Sequence, residues 1–167
     1  LSQHAASRIL QILPRMDAVL IGCGMGQSDG TLAVLKAVMR HFSGPLVVDA
    51  DGINLLAAHK DLLRGRTNPT ILTPHEGEYR RIAGDYRQDR TESTLQLASQ
   101  IGCILLRKGP KTIVTDGKVA YINPTGNPGM AVGGSGDVLA GMIAGLLGQG
   151  LEPLEASACA AYLHGMS

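Results

Sequence analysis

Aromatic side chains are scarce in this sequence. Its 167 residues include no tryptophan, one phenylalanine and four tyrosines, 3% aromatic in all. That composition offers no stacking platform for single-stranded nucleic acid. An excess of one charge is also missing: 15 Lys and Arg stand against 14 Asp and Glu, for a formal net charge of +1. Neither a nucleic-acid partner nor a membrane surface is expected from such a balance. No stretch is long and apolar enough to span a bilayer, and no signal peptide is recognisable. The three cysteines, Cys23, Cys103 and Cys159, are far apart and lack metal-ligand spacing. They fit a reducing compartment and read as small buried hydrophobes. A cytoplasmic location is the expectation.

What is present is a folded domain. Hydrophobic residues make up 44% of the chain and charged residues 17%, enough for one domain with a real core. Short apolar runs predict strands at 17–21, 46–48, 69–73 and 103–107. Two more, at 111–115 and 118–122, flank the Asp116-Gly117 turn signal. Between them lie helical stretches at 31–42, after Asp51, after Pro74, at 89–101, 134–148 and 154–164. Ser28 or Asp29 is suited to cap the first of these, and Pro74 to sit in a first turn. Strands alternating with helices predict an α/β fold, a mainly parallel sheet covered on both faces with a late antiparallel hairpin. The chain opens in what reads as the later part of an amphipathic helix and closes in a helix still carrying apolar residues.

In open parallel sheets ligands bind beyond the carboxyl ends of the strands. The unusual residues of this sequence fall there. Gly22–Gly26, "GCGMG", follows the first strand; Asp49, Asp51 and Asn54 follow the second; Thr73–Glu76 the third; Lys108 and Gly109 the fourth. Each has a plain alternative. "GCGMG" is either a tight turn or a place where a ligand approaches backbone, and Gln27 stands where a dinucleotide fingerprint needs its third glycine. Asp49 and Asp51 are either cap and turn residues, or carboxylates for a water-coordinated Mg²⁺ or ribose hydroxyls. His75 is either an ordinary packing residue or a donor to an anionic or amide group. Glu76 and Glu78 read as solvated complements of a helix dipole. "RKGPKT", Arg107–Thr112, is either a basic turn or a phosphate site in which lysine supplies charge and Gly109 frees the backbone.

The segment Asn127–Leu139, "NPGMAVGGSGDVL", is the most telling. A helix start presents free N–H groups and partial positive charge, and preceding glycines let several amides surround an anion. Asp137 opposes that purpose, unless it takes a proton from a substrate hydroxyl while the amides hold phosphate. The P-loop pattern is absent.

Taken together, "VVDADGINLLA", "ILTPHEGEYRRI", "LLRKGPKTIV" and "NPTGNPGMAVGGSGDVLAGMIAGLLGQG" resemble the ADP-dependent NAD(P)H-hydrate dehydratases of the ribokinase-like superfamily, from about Asp17 to the end. The resemblance implies a ribokinase-like three-layer α/β/α fold and a single domain over 1–167. It implies a lyase that repairs the 6S hydrates of NADH and NADPH. The C6 hydroxyl is phosphorylated by ADP, or by ATP, with Mg²⁺, and phosphate is then eliminated. By this resemblance Asp137 is the base. Gly24, Gly26, Asp49, Asn54, His75 and Asp137 contact the hydrated dinucleotide. Lys108, Gly109, Pro110, Lys111 and Thr112, with Asn127, Gly129, Met130, Ala131, Gly133, Gly134, Ser135 and Gly136, line the adenine nucleotide site. No residue is assigned as a direct metal ligand.

Two features depart from the family pattern. Val132 replaces a small polar or basic residue, and early β/α units and a C-terminal helix are not recognisable. A homo-oligomer, such as a tetramer, and fusion to or cooperation with an NAD(P)H-hydrate epimerase are further implications of the family. Two other readings stay open: a kinase of the same superfamily acting on a sugar or vitamin-precursor alcohol, and an inactive nucleotide-binding module.

Overall fold

The computed structural model describes residues 3–64, 66–84, 89–130 and 132–167. In chain order the elements are α1 (Gln3–Ile12), β1 (Val19–Ile21), α2 (Asp29–His41), β2 (Leu46–Val48), α3 (Asp51–Ala58), α4 (Asp61–Arg64) and β3 (Thr70–Leu72). Then follow α5 (Glu76–Ala83), α6 (Arg90–Ile101), β4 (Ile104–Arg107), β5 (Ile113–Thr115), β6 (Ala120–Ile122), α7 (Ser135–Gly148) and α8 (Pro153–Met166). The strands form one sheet in the order β1-β2-β3-β4-β5-β6. Pairing is parallel from β1 to β4 and antiparallel from β4 to β6, as the alternating pattern predicts.

Strand residues divide between two cores because successive side chains point to opposite faces. Leu46, Val48, Leu72 and Leu105 pack with α2 to α6 on one side. Val47, Ile71 and Leu106, one position out of phase, pack with α7 and α8 on the other. Full burial of each such side chain is worth about 1.5–3 kcal/mol.

Local chemistry fixes the boundaries. Ser28 caps α2, its hydroxyl accepting from Thr31 N–H. Asp89 caps α6, taking the amides of Thr91 and Glu92. Asp116 Oδ1 accepts from the amides of Lys118 and Val119 and closes the β5–β6 turn. Pro74, expected in the first turn of a helix, lies ahead of it: His75 is the cap and α5 begins at Glu76.

The parallel arrangement puts four strand ends on one rim, and the ladder continues past the strands. Asp49 N–H donates to Ile21 C=O at 3.0 Å, Thr73 N–H to Val48 C=O at 3.2 Å and Lys108 N–H to Pro74 C=O at 2.9 Å. The residues that follow β1, β2, β3 and β4 are thus held side by side.

Candidate active site

Asp49 occupies the centre of this rim. It is 1% exposed, and its Oδ1 accepts from its neighbour Ala50 N–H at 2.9 Å and from Lys108 Nζ at 2.8 Å. An ionised carboxylate at that depth requires such a partner. The backbone around it is tightly constrained. Ala50 adopts φ +50°, ψ −120°, a conformation costing about 1–3 kcal/mol outside glycine. Gly22 has φ +122°, and a Cβ there would lie 1.9 Å from Asp49 C=O. Only glycine lets the loop after β1 press against the end of β2.

Helix α7 begins over this pair. Gly134 is its cap residue and Asp137 stands, exposed, in its first turn. A Cβ on Gly136 would meet Lys108 Nζ at 3.1 Å and Asp49 Oδ2 at 3.7 Å, so a side chain larger than hydrogen would crowd the ammonium. Asp137 thereby joins a group formed with Asp49, Lys108 and Gly136.

Cys23 is a fifth member that sequence reasoning treated as a core residue. It is half-buried, and its Sγ lies within 4.8 Å of a carboxylate oxygen of Asp137. Burial, the neighbouring Asp137 carboxylate and the charge of Asp49 push its pKa up to about 12, against the smaller opposing pull of Lys108. The sulfur is therefore a protonated donor near neutral pH. Its position directly after Gly22 is the one sequence signal that could have drawn attention to it. Of the other cysteines, Cys103 is buried as expected, whereas Cys159 is exposed.

Cys23 Sγ and one oxygen each of Asp49 and Asp137 lie within 4.8 Å of one another. This donor set does not suit a protein-held Mg²⁺, which demands hard oxygen ligands. The sulfur is a protonated thiol, and Asp49 is already engaged by Lys108.

The basic turn divides its cations. Arg107 is not available to a phosphate: it is 1% exposed. Its guanidinium is bidentate with Glu76 at 2.8–3.1 Å, bonded to Ser93 and Thr94, and stacked 3.6 Å from the Tyr79 ring centroid. Being at the inward-facing end of β4, it is captured by the acid that begins α5. Glu76 accordingly serves as more than a solvated dipole partner, and Glu78 is buried, completing a capping box with His75. Lys108 points back to Asp49, while Gly109, Pro110 and Lys111 are exposed. Thr112 Oγ1 donates to Gly109 C=O at 3.1 Å.

The remaining expected residues make defined local contacts. His75 Nδ1 accepts from the amides of Gly77 and Glu78 at 2.9 and 3.3 Å, which leaves its Nε2 side turned outward beside Glu78 Oε1 at 3.4 Å. Asn54 Oδ1 accepts from Arg81 at 2.9 Å. Gly24 and Gly26 form an exposed loop, tied down where Gly26 N–H and Gln27 Nε2 donate to Asp51. Asn127 Oδ1 accepts from Gly129 N–H at 2.8 Å ahead of the short turn Pro128–Met130. Ser135 Oγ lies 3.2 Å from His164 Nε2. Gly133 and Val132 are exposed. Ala131 lies outside the described residues.

Comparison with known proteins gives the family. A family model described as NAD(P)H-hydrate dehydratase matches residues 1–167. The bifunctional NAD(P)H-hydrate repair enzyme Nnr of Moorella thermoacetica is 45% identical over 99% of this chain, which covers 32% of that protein. The chain thus spans about a third of the length of such curated relatives. Among solved structures, a ribokinase-like superfamily protein from Enterococcus faecalis V583 superposes with TM-score 0.84 at 28% identity, over 99% of this chain and 59% of that one. The ADP/ATP-dependent NAD(P)H-hydrate dehydratase from Bacillus subtilis, co-crystallized with ATP and Mg²⁺, superposes with TM-score 0.76 at 32% identity, over 90% and 54%. By sequence and by fold, this chain belongs to the NAD(P)H-hydrate dehydratase family, built on a ribokinase-like sheet.

Proposed function

We propose that the chain dehydrates the 6S hydrate of NADH or NADPH at the expense of ADP, returning the intact dinucleotide with AMP and phosphate. Family membership and the clustering at the sheet rim support this reading. The observation that carries it is the exposed carboxylate of Asp137 at the start of α7, set beside the buried Asp49–Lys108 pair.

In this reading Asp137 takes the proton of the C6 hydroxyl. The oxygen attacks the β-phosphorus of ADP, and the bond to the bridging oxygen breaks, releasing AMP. The ring nitrogen's electron pair then expels phosphate from C6, C5 gives up a proton, and the ring double bond returns. The amides of Gly133–Gly136 and the positive end of α7 stabilise charge on the transferring group. Lys108, oriented by Asp49, adds a point charge. Magnesium, which offsets phosphate charge when bound, would arrive on the nucleotide, since the donor set here does not suit it.

Gly24, Gly26, Asn54 and the outward Nε2 of His75 are the proposed contacts to the dinucleotide, together with Asp49. Lys108–Thr112, Asn127, Gly129, Met130, Ala131 and Gly133–Gly136 are those to the adenine nucleotide. We further assign the chain a cytoplasmic, homo-oligomeric setting beside an epimerase; the bifunctional name and greater length of the relatives support the last point.

The test is to mix the chain, NADH hydrate and ADP. Recovery of reduced-nicotinamide absorbance with one AMP per dinucleotide supports the reading. A stable phosphate ester formed from a sugar or thiazole alcohol points instead to a kinase, and ADP binding without turnover to a binding module.

A further inference from the structure

Arg90, at the start of α6, gathers the β4–β5 turn around itself. Its Nη1 donates to the carbonyls of Pro110 and Lys111 at 2.8 and 3.0 Å, and its Nη2 to those of Arg107 and Lys108 at 3.1 and 2.9 Å. Four carbonyls of a five-residue turn therefore face one guanidinium.

A trans peptide is planar, and its N–H points opposite its C=O. Each captured carbonyl so directs the following amide away from Arg90. For Arg107 that amide is Lys108 N–H, which points to Pro74 C=O at 2.9 Å. For the other three, the amides of Gly109, Lys111 and Thr112 are turned outward on the side away from the guanidinium. Two of these residues carry positive φ, Gly109 at +139° and Lys111 at +53°. Pro110, between them, has no N–H, so the turn offers three donors, the amides of Gly109, Lys111 and Thr112. Gly109 is further constrained, because a Cβ there would lie 2.9 Å from Arg90 Nη2.

We infer that Arg90 is a positioning residue. By holding carbonyls that would otherwise repel an anion, it leaves the amides of Gly109, Lys111 and Thr112 to donate to a phosphate of a nucleoside diphosphate. The inference rests on the nucleotide-dependent reading above, to which it adds a residue outside the motif segments. Arginine is required because a lysine has three donors on one nitrogen and cannot span four carbonyls in a plane.

The test is calorimetric titration of ADP into the whole chain and into R90K and R90A, with thermal unfolding of each. In R90K the Kd for ADP is expected to rise about tenfold or more, as for loss of charge-assisted hydrogen bonds. The KM for ADP should rise more than kcat falls. R90K that unfolds at a lower temperature yet binds ADP with unchanged Kd overturns the inference and leaves Arg90 a structural residue. If R90A does not fold, R90K decides. A parent chain that binds no ADP overturns both this inference and the nucleotide-dependent reading. A parent that binds ADP as R90K does overturns the role of Arg90 alone.

Discussion

Lys108 Nζ and Asp49 Oδ1 lie 2.8 Å apart, with the carboxylate side chain 1% and the ammonium side chain 20% exposed. The pair joins the end of β4 to the end of β2 and lies under the first turn of α7. Its two members are unequal: the aspartate depends on the lysine, while the lysine retains some access to water.

That inequality makes an ordered pair of outcomes. Lys108→Met leaves a buried carboxylate without its cation and should destabilise the chain by about 3–5 kcal/mol. Asp49→Asn frees the lysine but keeps an acceptor for Ala50 N–H, so its cost should be smaller. Urea unfolding of the two variants measures the order; equal costs would contradict this account of the pair.

The cysteines should react in the order Cys159, Cys23, Cys103. Exposure favours the first. Burial raises both other thiols to about 12, so that little thiolate forms near neutral pH. Alkylation timed by peptide mass spectrometry reads the order. Linkage gives a second consequence. The folded chain holds these two protons more tightly than the unfolded chain, whose thiols titrate near 9.0. Stability is therefore unaffected below that value and falls as pH rises from about 9 to about 12. Replacing both Cys23 and Cys103 with alanine should flatten that fall.

His75 separates two roles. Its Nδ1 caps α5, and asparagine can do the same. His75→Asn should therefore change stability by less than about 0.5 kcal/mol, whereas His75→Ala should lose about 1 kcal/mol. If the outward Nε2 contacts the dinucleotide, the asparagine variant should still show a raised KM for the hydrate. A KM unchanged in His75→Asn would reduce His75 to a cap.

The order of elements and the rim were legible in the sequence because local signals specify them. The first two apolar runs stop at glycine and aspartate, Ser28 caps, and Asp116-Gly117 turns the hairpin. What was not legible depends on partners far along the chain. Arg107 looks like a phosphate ligand beside Lys108 until Glu76, 31 positions away, is seen to hold it. Cys23 looks like a core residue until α7 brings Asp137 against it. Arg90 carries no motif at all, and its meaning appears only when α6 is placed beside the β4–β5 turn. A strand's end fixes where a side chain begins, and not which of two neighbouring cations turns inward.

Asp137 is the proposed base, and Asp137→Asn tests that role most directly. The amide keeps the size of the side chain and removes the base. In the hydrate-plus-ADP assay, the account predicts a loss of about 10²–10⁴-fold in kcat, with calorimetric ADP affinity retained. A variant that turns over at the parent rate would remove Asp137 from the chemistry and contradict the account.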